Sequence, residues 1–271
     1  MKYGLVLKLL VAILVMSSIP GCRKKDSVVG PGDSTSVPQL PGWQLVWHDE
    51  FDSTGIDRTK WNFEVNGDGG GNNELEYYTE NLQNAYVDSG CLVIQALKQD
   101  YMGKSYTSAR MTTANKGDWT YGRFEVRAFL PFGQGLWPAI WMMPTDSYYG
   151  GWPQSGEIDI MEMLGQQANK VYGTIHYGQP EQSRQGTYTL PDGYFCGDFH
   201  TFALEWDSTS ISWYVDSVMY YKTYITKPFD RRFFLILNVA VGGNWPGDPD
   251  YTTVFPQKMF VDYVRVYKKE K

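Results

Sequence analysis

The stretch SGEIDIMEM, residues 155–163, alternates acidic with apolar side chains and decides how the chain is interpreted. Alternation of this kind predicts a β-strand, because successive side chains of a strand point to opposite faces. Glu157 and Asp159 then share a face, whereas Glu162, five positions after Glu157, points the other way. One extra residue near Ile160-Met161, a β-bulge, returns Glu162 to the face of the other two acids. Bulges are common beside active sites, so we expect all three carboxyl groups to lie together.

Short strand patterns recur outward from this stretch in both directions. Residues 121–129 and 259–267 alternate, 211–215 alternates and runs into a predicted hairpin at 216–217, and 233–241 is almost continuously apolar, as in a strand buried on both faces. After the N-terminal segment, no stretch holds a helical period for a dozen residues. With 28 Gly and 14 Pro between the strands, the sequence predicts a single all-β domain, an antiparallel sandwich.

Composition narrows the class of partner. The formal net charge is -6 and the body of the chain has no basic run, which argues against nucleic acid and slightly disfavours polyanionic polysaccharides. Aromatic residues make up 16%, with 10 Trp and 20 Tyr, more than a core alone usually needs. Aromatic faces at a surface stack on flat ligands, and sugar rings are one such ligand.

The N-terminus has the pattern of an export signal. Residues 1–21 combine early lysines with an apolar stretch that is too short to span a membrane, since a spanning helix needs about 20 apolar residues. The following Ile19-Pro20-Gly21-Cys22 resembles the lipobox of bacterial lipoproteins. We therefore expect Cys22 to be lipidated and to anchor the protein to a bacterial membrane, the lipid being its sole membrane contact; plain secretion is the alternative.

Domain organisation follows from the composition after Cys22. Residues 22–41 are rich in Ser, Gly, Pro and charge, as expected of a flexible tether, and residues 42–271 form the predicted catalytic domain. Cys91 lies in a strand-like run and is interpreted as a small buried hydrophobe. Whether Cys91 pairs with Cys196 is left open by the sequence.

The acids of residues 157–162 have the composition of a glycosidase centre. Three carboxylates on one face repel each other, so at least one pKa should rise and that group should hold its proton near neutral pH. A protonated and an ionised carboxyl side by side can protonate a glycosidic oxygen and attack the anomeric carbon, with retention of configuration if they lie about 5 Å apart. The alternative is an amphipathic edge strand whose acids simply face water. Trp137, Trp141 and Trp152 nearby favour the sugar site, and a wall for stacking sugar rings is expected from the first two.

Beyond this strand, the chain resembles glycoside hydrolase family 16, and within it the bacterial laminarinase-like endo-β-1,3-glucanases. EIDIME matches the bulged Glu-x-Asp-x-x-Glu signature, whereas several relatives lack the extra residue. The resemblance covers roughly residues 43–267 and rests on further stretches in family order: WHDEF at 47–51, NNEL at 72–75, YTSAR at 106–110, YGRFE at 121–125, GLWPAIW at 135–141, DFHT at 198–201 and VDYVRVY at 261–267.

This resemblance implies a β-jelly-roll whose two curved antiparallel sheets form a concave substrate cleft. It implies that Glu157 is the nucleophile, Glu162 the acid/base and Asp159 a helper that tunes the pair. It also implies a set of sugar-binding positions: Asn72, Arg110, Trp137, Trp141, His176 and the loop aromatic Trp245. Two of these have structural alternatives, a satisfied core histidine for His176 and a sheet-face salt bridge for Arg110.

The family also implies a structural calcium ion, while no cofactor is expected for catalysis. The ion would map onto the backbone carbonyls of Glu50 and Gly90 and the side chain of Asp262. An exposed acid on a C-terminal strand is the alternative interpretation of Asp262.

The expected activity is retaining endo-hydrolysis of β-1,3 linkages in laminarin-type β-glucans by a monomer. A mixed-linkage β-1,3-1,4-glucanase is the enzymatic alternative, since the motif does not distinguish the two linkages. A surface lipoprotein that binds glucan without cutting it belongs to a different class. Retention of all three acids argues against that class, because their mutual repulsion costs stability and gives a lectin nothing.

The anchor hypothesis makes a testable prediction. Changing Cys22 to Ser removes the thiol that would carry the lipid, so the variant should leave the membrane fraction and appear in the soluble fraction on ultracentrifugation. Unchanged membrane association would refute lipidation at Cys22.

Overall fold

The structure, a computed structural model, describes residues 37–270. The predicted signal at 1–21, Cys22 and most of the predicted tether lie outside this range. Within the described range, no helix has the length and apolarity that a membrane crossing requires.

The described chain consists of strands, with two single-turn 3₁₀ helices at Gly69–Gly71 and Gly165–Gln167. The strands are β1 (Trp43–Asp49), β2 (Asn62–Glu64), β3 (Glu76–Tyr78), β4 (Ala85–Asp88), β5 (Cys91–Tyr101), β6 (Lys104–Ser108), β7 (Arg110–Thr112), β8 (Asp118–Trp119), β9 (Gly122–Phe129), β10 (Leu136–Pro144), β11 (Glu157–Glu162), β12 (Lys170–Tyr177), β13 (Gln182–Thr189), β14 (His200–Trp206), β15 (Ser210–Val215), β16 (Val218–Tyr224), β17 (Phe233–Val241) and β18 (Gln257–Lys269).

These strands form two sheets. The first has the order β16-β15-β14-β9-β18-β5-β6-β3, with β1 on β18 and β4 on β5, and the second has the order β13-β12-β11-β10-β17-β7-β2, with β8 on β17. All pairs are antiparallel except β3 with β6. One continuous apolar core contains side chains from both sheets, which confirms the predicted antiparallel sandwich.

The predicted strands are present where the sequence placed them. β17 matches residues 233–241 and is a central strand between β10 and β7, which explains why its residues are almost all apolar. The hairpin between β15 and β16 turns at Asp216 and Ser217, both with positive φ, as a two-residue hairpin turn requires. Cys91 is fully buried at the start of β5, and Cys196 is a free cysteine, so these two cysteines do not pair.

The outer face of β9 differs from the simple expectation of a solvated strand. Arg123 and Glu125 are nearly as buried as the core, because they form an ion pair of 2.6 Å and Arg123 also reaches Glu205 at 2.7 Å. Opposite charges with several hydrogen bonds make this burial tolerable.

The β-bulge predicted in β11 is present. Met161 pairs with Ile140 and Asp159 pairs with Trp141, so Ile160 is left without a partner on β10. Trp213, on the opposite sheet, donates its indole N–H to the Asp159 carbonyl at 2.8 Å and so holds the bulged strand against the core. Gly173 on β12 makes room for that ring, since a Cβ there would meet the indole at 2.4 Å.

Candidate active site

The bulge brings three acids to one face of the second sheet. Glu157, Asp159 and His176 place ligand atoms within 4.8 Å of one another, and Glu157 is directly opposite His176 in the β11–β12 register. Asp159 and Glu162 are buried, whereas Glu157 is partly exposed. The alternative of acids that merely face water is wrong, because two of the three lie inside the protein.

Each of the two glutamates accepts one indole hydrogen bond. Trp152 Nε1 donates to Glu157 Oε2 at 2.7 Å, and Trp137 Nε1 donates to Glu162 Oε1 at 3.0 Å. The sequence pointed to Trp152 as a neighbour of the acids but did not identify it as a site residue. A neutral donor stabilises a carboxylate without adding a charge, so each indole favours the ionised form of its glutamate.

Burial dominates the electrostatics of the cluster. It raises the pKa of Glu162 to about 8, with the charge of Glu157 adding to the effect and Trp137 opposing it. Burial also raises the pKa of Asp159 well above its usual range, reinforced by the charges of Glu162 and Glu157. The pKa of Glu157 is raised by burial as well, but the nearby His176, the Trp152 indole and Asp159 all oppose that shift. Glu157 is therefore the acid of the three that is most easily ionised, and Glu162 and Asp159 release their protons less readily.

His176 lies between carboxylates and not in the core. Its Nδ1 is 2.8 Å from Glu181 Oε1, and its Nε2 is 3.5 Å from Asp159 Oδ2. The core-histidine interpretation is thus wrong. The sequence did not point to Glu181. It lies in the turn between β12 and β13, and this hairpin places it beside the histidine.

Arg110 and Trp141 form one unit on the same face. The guanidinium of Arg110 lies 4.6 Å from the Trp141 ring, and its Nε is 3.0 Å from Glu64 Oε2. The salt-bridge alternative for Arg110 is therefore correct in geometry, and it is compatible with a site role because Arg110 also lowers the pKa of Glu157 through its charge.

A buried polar chain holds Trp141 from behind. Trp141 Nε1 donates to Asn238 Oδ1 at 2.7 Å, Asn238 Nδ2 donates to the Tyr78 hydroxyl at 3.1 Å, and that hydroxyl donates to Glu74 Oε2 at 2.9 Å. Neighbouring Glu76 accepts the Val241 N–H, and burial raises its pKa well above the usual range, with Glu74 adding to the effect. The sequence assigned none of these residues to the site, although Glu74 lies in the NNEL stretch, because no local pattern links them.

Trp245 and Asn72 lie on two loops near Trp137. The Trp245 ring is in edge contact with Trp137 at 5.4 Å and with Tyr172 at 4.9 Å between centroids. The Asn72 carbonyl accepts the Asn244 N–H at 2.8 Å, so the two loops that carry Asn72 and Trp245 are joined. All six residues predicted to bind sugar thus belong to elements or loops around the second sheet.

The predicted calcium positions are adjacent in the first sheet, far along the chain from the acids. β1 and β5 pair with the same edge of β18. Leu92 of β5 is opposite Val261, and Asp49 of β1 is opposite Val264. Glu50 and Gly90 therefore flank Asp262 in the gap between β1 and β5. The Asp262 carboxylate accepts a hydrogen bond from Arg127 at 2.7 Å, so it is not the exposed acid of the alternative interpretation.

The raised pKa of Glu162 predicts how stability depends on pH. The folded protein holds this proton up to about pH 8, whereas the unfolded chain releases it near 4.5, so folding stability is lost as pH rises between these values. Replacing Glu162 with Gln removes this loss, and at neutral pH the free energy of unfolding should rise by about 1–3 kcal/mol, each pKa unit being worth ~1.4 kcal/mol. Urea titrations at several pH values measure it.

The matched control is Glu80→Gln, which changes an exposed glutamate in the same way. It should leave the pH dependence unchanged. A Glu162→Gln variant that is less stable than the parent at neutral pH would contradict the assignment of a buried, protonated Glu162.

Comparison with known proteins places this geometry in a family. Residues 72–265 match the model of glycosyl hydrolases family 16. The chain is 43% identical to a β-glucanase of Rhodothermus marinus, over 94% of this chain and 93% of that protein. Its fold matches the laminarinase catalytic domain of Thermotoga maritima with a TM-score of 0.80 and 49% identity, covering 84% of this chain and 99% of that one. It also matches a non-specific endo-β-1,3(4)-glucanase with a TM-score of 0.77 and 40% identity, covering 87% and 94%. The predicted β-jelly-roll is thereby confirmed, and the chain belongs to glycosyl hydrolase family 16.

Proposed function

We propose that this protein is a retaining endo-hydrolase of β-1,3-glucosidic linkages in laminarin-type glucans. The observation that carries the proposal is the bulged strand, which sets Glu157 beside Glu162, an acid that ionises less readily than Glu157, on one face. The similarity to a β-glucanase and to a laminarinase supports the substrate class.

In the first step, Glu162 acts as the acid. Its carboxyl proton passes to the glycosidic oxygen while the bond between that oxygen and the anomeric carbon breaks. The Glu157 carboxylate attacks the same carbon from the opposite side and forms a glycosyl ester. In the second step a water molecule gives a proton to Glu162, attacks the anomeric carbon and releases Glu157. Two inversions leave the configuration unchanged.

Asp159 is assigned as the positioning residue of this pair. Its carboxyl group is buried, which raises its pKa well above the usual range, and a hydrogen bond between Asp159 and Glu157 lowers the pKa of the nucleophile. A protonated acid can donate a hydrogen bond to a carboxylate, whereas two ionised acids whose oxygens lie within 4.8 Å would repel each other. Asp159 therefore keeps Glu157 ionised.

The aromatic side chains around the acids are assigned to sugar binding. Trp137 and Trp141 lie four residues apart on β10 and are both partly exposed, and Trp245 is 38% exposed beside Trp137. Their faces would stack on glucose rings, while Arg110 and Asn72 offer hydrogen bonds to hydroxyl groups. A neutral polymer suits such a surface because no cation cluster is needed to bind it.

Linkage preference and stereochemistry test the proposal together. Laminarin should be cut to mixed oligosaccharides faster than lichenan, and proton NMR of the early products should show the β-anomer first. The similarity to an enzyme described as non-specific endo-β-1,3(4)-glucanase makes mixed-linkage glucan the second candidate, which a faster rate on lichenan would favour. Tight binding of laminarin without cleavage would refute hydrolysis, and an α-anomer would refute the double displacement.

Changing Glu157 to Gln should abolish turnover. The amide has nearly the same shape but is not a nucleophile, so kcat should fall by at least 10³-fold, within the range that loss of a catalytic nucleophile produces. Reducing-sugar release from laminarin measures the loss, and circular dichroism confirms folding. Glu80→Gln is the matched control and should keep full activity, whereas near-normal activity of the Glu157→Gln variant would overturn the role of Glu157.

Two further parts of the proposal concern export and calcium. Lipidation at Cys22 would hold the enzyme at the cell envelope. A calcium ion bound by the Glu50 and Gly90 carbonyls and by Asp262 would stabilise the gap between β1 and β5. The register supports this calcium position, and a carboxylate has lone pairs to share between Arg127 and an ion. The ion takes no part in the reaction.

A further inference from the structure

The three histidines of the chain each contact a carboxylate, but their surroundings differ. His48 lies 3.3 Å from Glu50, whose carboxylate is engaged by Arg265, and His200 lies 2.6 Å from Asp216 at the protein surface. Only His176, among the residues that the structure describes, belongs to a group of three potential metal ligands. The catalytic face therefore carries a constellation that is absent around the other two rings.

The hydrogen bond to Glu181 determines which nitrogen of His176 is available. Because the Glu181 carboxylate accepts a hydrogen bond, the nitrogen 2.8 Å away, Nδ1, carries the proton. When the ring carries only this proton, Nε2 presents a lone pair toward Asp159. This carboxylate–histidine pair is the arrangement that orients histidine ligands of metal ions, with the outer carboxylate fixing the tautomer.

The Asp159 carboxylate supplies a second, independent observation. Asp159 is 2% exposed, and its Oδ2 has no hydrogen-bond partner among the described residues, with His176 Nε2 3.5 Å away. Two acceptors thus face each other across a gap. Two ligand atoms bound to one tetrahedral ion at about 2.1 Å each are roughly 3.4 Å apart, which is close to this separation.

We propose that His176 Nε2, Asp159 Oδ2 and a Glu157 oxygen form an inhibitory binding site for a divalent transition-metal ion of the zinc type. One nitrogen and two carboxylate oxygens, with a fourth position left to water, suit zinc or copper, whereas calcium requires six to eight oxygens. His176 Nε2 and Asp159 Oδ2 already lie at the spacing of two ligands of such an ion, and Glu157, which is partly exposed, turns toward the ion. Binding removes the nucleophile from the substrate.

Calorimetric titration of the protein with zinc chloride, at neutral pH where zinc stays dissolved, tests the site itself. One ion per chain should bind. Glu181→Gln should weaken binding about 10–100-fold, as loss of an outer carboxylate does at other metal sites. His176→Gln should abolish it, and His48→Gln, the matched histidine control at a partly exposed position outside the site, should leave it unchanged. Equal binding by the parent and by His176→Gln, or no binding at millimolar zinc, would overturn the proposal.

Two measurements keep this test decisive. Thermal unfolding of each variant establishes that it is folded, and Glu181 is exposed enough for its replacement to be tolerated even if His176→Gln fails to fold. Inhibition of laminarin hydrolysis should be competitive, a part that rests on the proposed function. Zinc binding without competition would remove Glu157 from the ligand set. Failure to hydrolyse laminarin at all would refute the function, but would leave the calorimetric result interpretable.

Discussion

The unpaired Ile160 in β11 is the constraint on which the site depends. In an unbroken strand Glu162 would point toward the core, where an ionisable group without a partner is costly. The bulge turns Glu162 onto the face of Glu157 and Asp159, and the apolar residues between them keep the core face. Trp213 fixes this irregular backbone from the opposite sheet, since its indole accounts for the Asp159 carbonyl that lies inside the sandwich.

The same arrangement sets the protonation states. Three acids brought together in a buried place cannot all ionise, so the proton stays where desolvation is greatest and opposing donors are fewest. Glu157 has the Trp152 indole, His176 and Arg110 nearby, whereas Glu162 has one indole. The fold is therefore less stable at neutral pH than it would be without these buried acids. In return, Glu162 keeps its proton more readily than Glu157, which is the difference that glycosidic cleavage requires.

The wall for the substrate is supported in a comparable way. Trp141 is held from behind by Asn238, Tyr78 and Glu74, all buried, so the ring is fixed before any sugar binds. A fixed ring loses little conformational freedom when a ligand stacks on it. Trp137 is fixed differently, by its hydrogen bond to Glu162, and this contact joins sugar binding to the catalytic acid.

The sequence by itself determined the strand pattern, the face that the acids share and the position of the bulge. These follow from the two-residue period of a strand and from Glu162, which is one residue out of phase with it. Both features can be read from neighbouring residues in the sequence. Through resemblance it also supplied the family and the set of cleft residues, including Arg110 and Trp245, which strand patterns alone do not mark.

Only the tertiary structure decided which groups surround those residues. Glu181 and the chain from Asn238 to Glu74 come from other loops and strands, and the register between strands, which no local pattern fixes, brings them into contact. Trp152 was expected near the acids, but its hydrogen bond to Glu157 was not. The pKa of Glu162 was equally beyond the sequence, because it depends on how much water the folded sheets exclude. Spacing along the chain fixes which way a side chain points, while burial and partners are properties of the assembled sandwich.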